Sequence, residues 1–318
     1  MKLYPLKLKY ACSTAIWGGE RLKSEWGKVS ELSPLAETWE LSCRDDGMMC
    51  LIGNGEAEGL TLAEYIKSVG TCAVSDSYDG GRFPLLIKFI DAAADLSVQV
   101  HPDDTYAAEH ENDNGKTEMW YIVDAEEGAR IVWGLADGVG RDEFAAAVAK
   151  NEYEKVLRYV DVQPGDVFFV PSGLAHAIGK GILIAEIQQN SDLTYRIYDY
   201  GRLGADGRPR QLHVEQALSV VRPFTEDEID AIRFDRGRVG GYLANSRYFS
   251  VRLLEASAAP SLNVGRESFH CLLSVGGECV LSCGVEEYTV GRGECVFLPA
   301  GLGEYSIRGD ARLLLSTL

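Results

Sequence analysis

Polar and apolar residues alternate with a period of two across residues 96–101, which read Leu-Ser-Val-Gln-Val-His. In a β-strand this period places Ser97, Gln99 and His101 on one face and the three apolar side chains on the other. Pro102 follows and ends the strand, because proline has no amide hydrogen to donate. A buried polar face is costly unless its groups find partners, and a metal ion is one such partner. The pattern therefore predicts a strand whose polar face needs a ligand.

Similar patterns predict many further strands and a few helices. The expected strands have β-branched or aromatic residues between glycine-containing turns, and they cover 118–123, 130–133, 166–170, 182–189, 194–200 and short runs from Val239 to Leu318. The expected helices cover 61–69, 141–159 with a break near Asn151, 213–221 and 225–232. Thr61 and Thr225 each precede a glutamate by three residues, which is the capping-box spacing.

One pattern occurs twice, at residues 164–176 and again at 292–304, with a constant offset from Gly165 to Gly293 onward. Each copy reads glycine, an acid, four apolar residues, proline, a small residue, glycine and leucine. A shorter echo aligns Gly115-Lys116 with Gly265-Arg266 and places Glu118 opposite Ser268. A repeat of this size predicts two copies of one β module.

The first copy, Pro-Gly-Asp followed by four apolar residues and Pro-x-Gly-x-x-His, resembles the cupin family of double-sheet jelly rolls. This resemblance implies a mainly β fold of two cupin-type jelly-roll modules with a few peripheral helices. We expect an N-terminal catalytic module at residues 1–235, with short helical insertions at about 61–69, 141–159 and 213–232. The C-terminal module, residues 236–318, has Glu304 where the first has His176, so we expect it to lack metal ligands.

Composition and charge narrow the class of partner. A chain of 318 residues can bury a large core, and its formal net charge of −17 argues against nucleic acid or an anionic membrane surface. No run approaches the roughly 20 apolar residues of a transmembrane helix, and the first nine residues lack the apolar core of a signal peptide. Eight cysteines without a CxxC pair favour reduced thiols. We expect a cytoplasmic protein, either monomer or homodimer.

Four residues are candidate metal ligands: Gln99, His101, Glu118 and His176. A jelly roll can bring such strand-borne side chains together inside its barrel. Nitrogen and oxygen ligands in this mixture suit zinc, and manganese or iron remain alternatives. Considered singly, His101 could equally be a structural histidine, and Glu118 could be a solvated strand end.

Three charged residues are further candidates. Glu186 lies within an apolar strand, where a carboxylate often has a shifted pKa and a role in proton transfer, unless it pairs with an arginine. Arg196 lies among aromatic residues and could stack on them or hold an anionic substrate by bidentate hydrogen bonds. Lys116, two residues before Glu118, would point to the same side as that residue if the strand begins early.

Four segments in order, at 97–104, 115–121, 171–177 and 186–202, resemble type I mannose-6-phosphate isomerases, most closely the short bacterial form. The resemblance covers essentially the whole chain, including Ile16-Trp17-Gly18-Gly19. It implies a zinc-dependent aldose–ketose isomerase that interconverts mannose 6-phosphate and fructose 6-phosphate through a cis-enediol. One departure is Cys43-Arg44 after Ser42, where many relatives have a histidine.

The resemblance also implies roles for individual residues. The implied zinc ligands, one ion per chain, are Gln99, His101, Glu118 and His176. Arg196 matches the catalytic arginine, Glu186 matches an acid proposed for proton transfer, and Ser97 and Lys116 match pocket positions. We expect Glu186 to be the base, with Lys116 and a metal-bound water as rivals, and Arg196 to hold either the enediolate or the phosphate. The competing interpretations are a non-catalytic sugar-binding cupin and an isomerase of another phosphorylated sugar.

Overall fold

The computed structural model describes residues 2–204, 207–232, 239–258 and 261–318. Its α-helices are α1 (Arg21–Ser24), α2 (Leu62–Val69), α3 (Asp104–His110), α4 (Arg141–Lys150), α5 (Val214–Val220) and α6 (Glu226–Ala231). Single 3₁₀ turns span Thr71–Ala73 and Tyr153–Lys155. No helix within the described ranges is long and apolar enough to cross a lipid bilayer.

The strands before residue 200 are β1 (Leu6–Lys9), β2 (Ala11–Ser13), β3 (Glu37–Leu41), β4 (Leu51–Ile52), β5 (Leu85–Ala92), β6 (Val98–Val100), β7 (Glu118–Ala125), β8 (Arg130–Leu135), β9 (Leu157–Asp161), β10 (Val167–Val170), β11 (His176–Ala177), β12 (Ile182–Gln189) and β13 (Tyr195–Tyr198). The later strands are β14 (Tyr242–Asn245), β15 (Ser250–Glu255), β16 (Leu262–Val264), β17 (His270–Gly276), β18 (Cys279–Cys283), β19 (Glu286–Val290), β20 (Cys295–Leu298), β21 (Gly303–Gly309) and β22 (Arg312–Thr317). The predicted mainly β fold is confirmed.

These strands form four antiparallel sheets that pack as successive layers. The five-stranded sheet has the order β13-β6-β11-β8-β9, the six-stranded sheet β10-β7-β12-β5-β3-β2, the seven-stranded sheet β14-β15-β22-β17-β20-β1-β4, and the four-stranded sheet β16-β21-β18-β19. Separate apolar cores fill the spaces between the first and second, the second and third, and the third and fourth sheets. The five- and six-stranded sheets therefore form the first sandwich, and the seven- and four-stranded sheets form the second. The two sandwiches share the core between the six- and seven-stranded sheets.

Strand β12 shows how the sequence sets these layers. All eight of its residues are buried, because the six-stranded sheet has a protein layer on both faces. Leu183, Ala185 and Ile187 pack toward the seven-stranded sheet, whereas Ile182 and Ile184 pack toward the five-stranded sheet. Period two then sends Glu186 and Gln188 to the face shared with Ile182 and Ile184.

The strand predicted at 96–101 is present in shortened form as β6, and Val98 and Val100 share a face as expected, whereas Leu96 precedes the strand and packs instead in the core between the five- and six-stranded sheets. Val98 and Val100 pack into an outer core that includes Phe144 of α4 and Ala217 of α5. The alternate positions, beginning with Ser97, face the interior between the two sheets.

The internal repeat is visible in backbone geometry. Gly165 and Gly293 both adopt positive φ, +91° and +82°, a conformation that favours glycine. The following acid accepts a hydrogen bond from the amide three residues earlier in each copy: Gln163 N to Asp166 Oδ2 at 2.9 Å, and Gly291 N to Glu294 Oε2 at 2.8 Å. The same turn therefore precedes β10 in the first copy and β20 in the second.

The prediction that Ser268 occupies the position equivalent to Glu118 in the second module is wrong. In the first module Glu118 pairs with Val170, and in the second module His270 pairs with Leu298, the repeat equivalent of Val170. His270 therefore occupies the position of Glu118. The shorter echo misleads because the two modules differ by two residues between that glycine and the strand.

Most helix predictions are confirmed, and one is partly wrong. Helices α2 and α6 begin after Thr61 and Thr225, and both form the complete capping box. The break expected near Asn151 is confirmed, because α4 stops at Lys150 and Asn151 adopts the left-handed conformation that ends helices, but the predicted helical pattern does not resume beyond it. Residues Leu157–Asp161 form strand β9 instead, paired with β8.

The two modules are joined through strands and through one buried ion pair. Strand β1 pairs with β20, so the seven-stranded sheet contains strands from both ends of the chain. The expected boundary between residues 235 and 236 lies outside the described residues. Lys28 Nζ lies 2.6 Å from Glu40 Oε1 and donates to Gly293 O at 2.7 Å, and both side chains are buried. Burial raises the pKa of Glu40, which shows how much that carboxylate depends on Lys28.

Replacing Lys28 with methionine should lower the free energy of unfolding by about 3–5 kcal/mol, because it leaves the Glu40 carboxylate buried without its cation. Urea unfolding measures this change. The matched control is Lys9→Met, which removes the exposed partner of Glu58 at 3.4 Å and should cost less than about 1 kcal/mol. Equal effects of the two substitutions would contradict a stabilising role for the buried pair.

Candidate active site

Opposing strands of the first sandwich bring three predicted metal ligands together. His101 follows β6, and His176 begins β11 in the five-stranded sheet; Glu118 begins β7 in the facing six-stranded sheet. The distances are 3.4 Å from His101 Nε2 to Glu118 Oε2, 3.5 Å from His176 Nε2 to Glu118 Oε1, and 3.1 Å between the two Nε2 atoms. Within the described ranges, this is the only group of three or more His, Cys, Asp or Glu side chains close enough to hold a metal ion.

Backbone carbonyls fix the protonation of both imidazoles. His101 Nδ1 lies 2.7 Å from Leu193 O, and His176 Nδ1 lies 2.8 Å from Leu174 O. A carbonyl can only accept, so each Nδ1 carries the proton and donates it. Burial lowers the pKa of both histidines, that of His101 to about 3, so the rings are neutral. Each Nε2 therefore presents a lone pair to the same small space.

This arrangement fits a metal ion. Two neutral Nε2 atoms lie 3.1 Å apart with no proton between them, and the buried Glu118 has one lysine beside it, with Lys116 Nζ at 2.9 Å from Oε2, while Oε1 has no hydrogen-bond partner among the described residues. Donor atoms in this state are costly unless a cation accepts their lone pairs. Two imidazoles and one carboxylate are the protein ligands of many catalytic zinc sites, which keep a further position for water or substrate. The Nδ1–H bonds to carbonyls orient the rings as second-shell partners of metal ligands do.

Gln99, the fourth predicted ligand, lies beside this group. Its Nε2 atom is 3.4 Å from His176 Nε2, and its Oε1 atom accepts from Ser97 Oγ at 3.2 Å. A glutamine binds a metal through its carbonyl oxygen, so ligation requires the amide to rotate by half a turn. The Ser97 hydroxyl permits this, because it can donate or accept.

Lys116 contacts the same group, as expected from its position two residues before Glu118. Its Nζ atom lies 2.9 Å from Glu118 Oε2 and donates to His101 Nε2 at 3.2 Å. Burial by itself would lower the pKa of Lys116, but the charges of Glu118 and Glu186 outweigh burial and raise that pKa. Lys116 is therefore a buried ammonium ion.

Glu186 is the other buried carboxyl group of the site. Burial, with a smaller contribution from the charge of Glu118, raises the pKa of Glu186 to about 7. Trp120 Nε1 donates to Oε2 at 3.0 Å, and Oε1 has no hydrogen-bond partner within the described residues. The cation facing Glu186 is Lys88, at 3.9 Å, rather than the arginine considered as its structural partner.

A cavity of about 350 Å³ lies beside this group, although His101, Glu118 and His176 are not among the residues that line it. Of the predicted residues, it is lined by Ser97, Gln99, Lys116, Glu186 and Arg196. A larger cavity of about 560 Å³ lies elsewhere, beside α2, and none of the predicted site residues lines it. We therefore assign the site from its chemistry rather than from cavity size.

Arg196 lies at the edge of this cavity and does not stack on an aromatic ring in the described part of the chain. Its Nε donates to Ser97 Oγ at 3.3 Å, and its Nη1 donates to Gln211 O at 2.8 Å. Strand pairing places Arg196 directly opposite Gln99. The interactions thus connect Arg196 through Ser97 and Gln99 to the histidines.

Several cavity residues were not predicted from the sequence. They are Trp17, Glu37, Lys88, Asp192, Arg210 and His213. Lys88 carried a signal, since it is a lysine within the apolar run 83–90. The departure at Cys43-Arg44 concerns the larger cavity, which both residues line, rather than the site cavity.

Two β-sandwiches carry the repeated cupin turn, and among the described residues only the first sandwich contains a metal-competent group. These features define a bicupin protein with a candidate active centre in its first module. Family models agree with this class. Residues 5–130 match the phosphomannose isomerase type I catalytic domain, and residues 240–318 match the mannose-6-phosphate isomerase cupin domain. The chain is 37% identical over 321 residues to mannose-6-phosphate isomerase ManA of Bacillus subtilis, covering 100% of both chains. A mannose-6-phosphate isomerase of Streptococcus mutans is 36% identical, with 98% of each chain covered.

Solved structures give the same result. The structure of mannose 6-phosphate isomerase from Bacillus subtilis superposes with a TM-score of 0.86 at 32% identity, covering 99% of both chains. A mutant of phosphomannose isomerase from Salmonella typhimurium has the same fold, with a TM-score of 0.79 at 19% identity and 98% of each chain covered. The chain belongs to the type I mannose-6-phosphate isomerase family.

The His101, Glu118 and His176 group predicts the metal content of the purified protein. His176→Ala should reduce bound transition metal from roughly one equivalent per chain to less than about a tenth, because it removes one of the two imidazole ligands and leaves only His101, Glu118 and the weaker amide ligand Gln99. Elemental analysis measures this ratio. The control is His270→Ala, in the second module, which should leave the metal content unchanged. Retention of metal by the His176 variant would refute the site.

Proposed function

We propose that this protein is a zinc-dependent isomerase that interconverts mannose 6-phosphate and fructose 6-phosphate in the cavity of its first module. The observation that carries the proposal is the buried His101, Glu118 and His176 group beside Lys116 and Glu186, in a chain that matches mannose-6-phosphate isomerases over its whole length. Family membership makes the chain an aldose–ketose isomerase; the metal, the chemical route and the residue roles are proposals.

The ion is Zn²⁺, one per chain, held by His101, Glu118 and His176, with Gln99 as the fourth ligand. Such an ion, when bound, supplies Lewis-acid polarisation of a sugar oxygen. The two neutral imidazoles, one carboxylate and one amide oxygen are a donor set that zinc accepts.

Glu186 is the group that moves the proton. The Glu186 carboxylate takes the proton from C2 of the open-chain aldose and returns it to C1, while the proton of the C2 hydroxyl moves to the C1 oxygen, so the conversion passes through a cis-enediol and balances without another reactant. A base works best when its pKa lies near the operating pH, and the pKa of Glu186 is about 7. Trp120 holds one oxygen and leaves the other for the proton. Lys116 is the weaker candidate, because its raised pKa keeps it protonated.

Lys116, Ser97 and Arg196 bind the substrate. The Lys116 ammonium can donate to the sugar oxygen that becomes negative, which stabilises the enediolate electrostatically. Ser97 and Arg196 lie on the opposite wall, where the hydroxyl and guanidinium offer donors to the substrate. Arg196 thus serves both binding and catalysis.

The two modules have different roles in this proposal. Residues 1–235 form the catalytic module, and residues 236–318 form a degenerate cupin that braces it, as the shared seven-stranded sheet supports. The eight cysteines are unpaired, which supports a reducing compartment such as the cytoplasm. The partner is a small phosphorylated sugar.

Purified protein should convert mannose 6-phosphate to fructose 6-phosphate and should turn over glucose 6-phosphate and ribose 5-phosphate far less well. Coupled assays of the three sugars measure this profile. Arg196→Ala should retain bound metal yet lose turnover by about 100-fold or more, because it removes an electrostatic contact to the reacting sugar. Failure of the wild-type protein to isomerise mannose 6-phosphate would favour a sugar-binding cupin or another substrate.

The pKa of Glu186 predicts the pH dependence. Because the carboxylate form is the base, kcat/KM should rise with pH, by about tenfold per unit below the pKa, and level off above it. A cation bound at Glu118 removes one of the charges that raise this pKa, so the midpoint should lie at or below about 7. Glu186→Gln should lower kcat by about 10²–10⁴-fold and abolish this limb. A flat wild-type profile between about pH 5 and pH 8 would exclude Glu186 as the base.

A further inference from the structure

The loop after β13 folds back as a hairpin around one buried carboxylate. We call its described residues, 199–204 and 207–213, the Asp199 hairpin. Asp199 is 4% exposed, and it accepts two hydrogen bonds from Arg210, from Nε to Oδ2 at 2.7 Å and from Nη2 to Oδ1 at 2.5 Å. Arg202 Nη2 also donates to Oδ1, at 2.5 Å. Bidentate pairing of this kind holds a guanidinium in one orientation.

Two residues of the hairpin, Arg210 and Gln211, contribute to the cavity wall or contact it. Arg210 lines the cavity beside Arg196, whereas Arg202 stacks over Tyr200, with 4.9 Å from its guanidinium carbon to the ring centre, and does not line it. The backbone of the hairpin meets Arg196 directly, through Gln211 O at 2.8 Å. Asp199 therefore determines where the Arg210 side chain lies relative to Arg196.

Positive charge at this end of the cavity exceeds negative charge. Burial, and then the charge of Arg210, lower the pKa of Arg196, and Arg202 acts in the same direction. Arg202 and Arg210 both pair with one carboxylate, Asp199, which is thus the only carboxylate paired with any of these three arginines among the described residues. Arg196 has no carboxylate partner among the described residues.

The other cations of the cavity are compensated. Lys116 pairs with Glu118 at 2.9 Å. Lys88 lies 3.5 Å from Glu37, 3.9 Å from Glu186 and 4.0 Å from Asp192. The excess of positive charge thus lies at the end formed by Arg196 and Arg210, where Asp199 is the only carboxylate that pairs with either arginine among the described residues.

Donor groups remain available at this same end. Within the described ranges, Arg210 Nη1 and Arg196 Nη2 have no hydrogen-bond partner. A phosphoryl monoester carries about −1.5 to −2 charges near neutral pH and has three acceptor oxygens. Two unpaired guanidinium edges with a local excess of positive charge match such a group in both charge and hydrogen bonding.

We propose that Arg210 is a specificity-determining residue that binds the phosphoryl group of the substrate together with Arg196, and that Asp199 is its positioning residue. This inference rests on the proposed function and deepens it. It orients the sugar phosphate with the phosphoryl group at the Asp199 hairpin and with C1 and C2 toward Lys116 and Glu186. An unphosphorylated sugar lacks the contact that Arg210 provides.

Kinetics of Arg210→Gln with mannose 6-phosphate and with D-mannose separate this role from a general structural one. The variant should raise KM for mannose 6-phosphate by about 10- to 100-fold, the loss expected for a hydrogen bond between charged groups, and change kcat less than about threefold. Its kcat/KM for D-mannose should stay within about threefold of wild type. Arg210→Lys, which keeps the charge but not the fork, should recover part of the loss.

Calorimetric titration with inorganic phosphate tests the same contact without turnover, so it stays informative if the preferred sugar differs. Arg210→Gln should weaken phosphate binding as strongly as it raises KM. The matched control is Arg202→Gln, which removes the other arginine on Asp199 and should alter phosphate binding less than about threefold. An unchanged phosphate affinity in Arg210→Gln, or an equal loss of activity on both sugars, would overturn the role of Arg210. Absence of turnover in wild type, with phosphate binding still dependent on Arg210, would instead refute the proposed function.

Discussion

Two deprotonated imidazole nitrogens and a carboxylate meet in the dry space between two β-sheets, and the rest of the site is arranged around that electrostatic constraint. Glu118 is fully buried, and the pKa values of His101 and His176 are lowered, so the group holds donor atoms but no internal cation other than Lys116. Removing charged groups from water costs several kcal/mol each unless they are paired. A divalent ion compensates this cost, and the carbonyls that hold both Nδ1–H groups prepare the rings for it.

The layers of the fold explain how the protein can maintain such a group. The six-stranded sheet has a protein layer on both faces, so Glu118 and Glu186 project from strands whose neighbouring residues are buried as well. Glu186 is buried, and this burial raises the pKa of its carboxyl group. The second module covers the far face through the shared core and keeps the repeated turn, but has His270 where the first has Glu118. In the proposed function, one copy of this scaffold carries the chemistry and the other copy supports it.

Features that depend on local sequence could be predicted, and features that depend on pairing across the sheet could not. Alternation at Ser97, Gln99 and His101 identified the inward face, because period two is a property of a single strand. The Ser268 assignment failed because register is set by hydrogen bonds to a distant strand. Residues 157–161 form a strand because they pair with β8, although their sequence continues a helical pattern. Lys88 and Arg210 reach the cavity only after the six-stranded sheet and the Asp199 hairpin have formed.

The central claim is that this single buried group holds the ion on which turnover depends. Zinc titrated into metal-free protein, with bound metal and turnover of mannose 6-phosphate followed together, tests it most directly. Turnover should rise in proportion to bound zinc and reach its maximum at about one equivalent per chain. Full turnover in protein without bound metal, or a maximum reached only at about two equivalents, would contradict the claim.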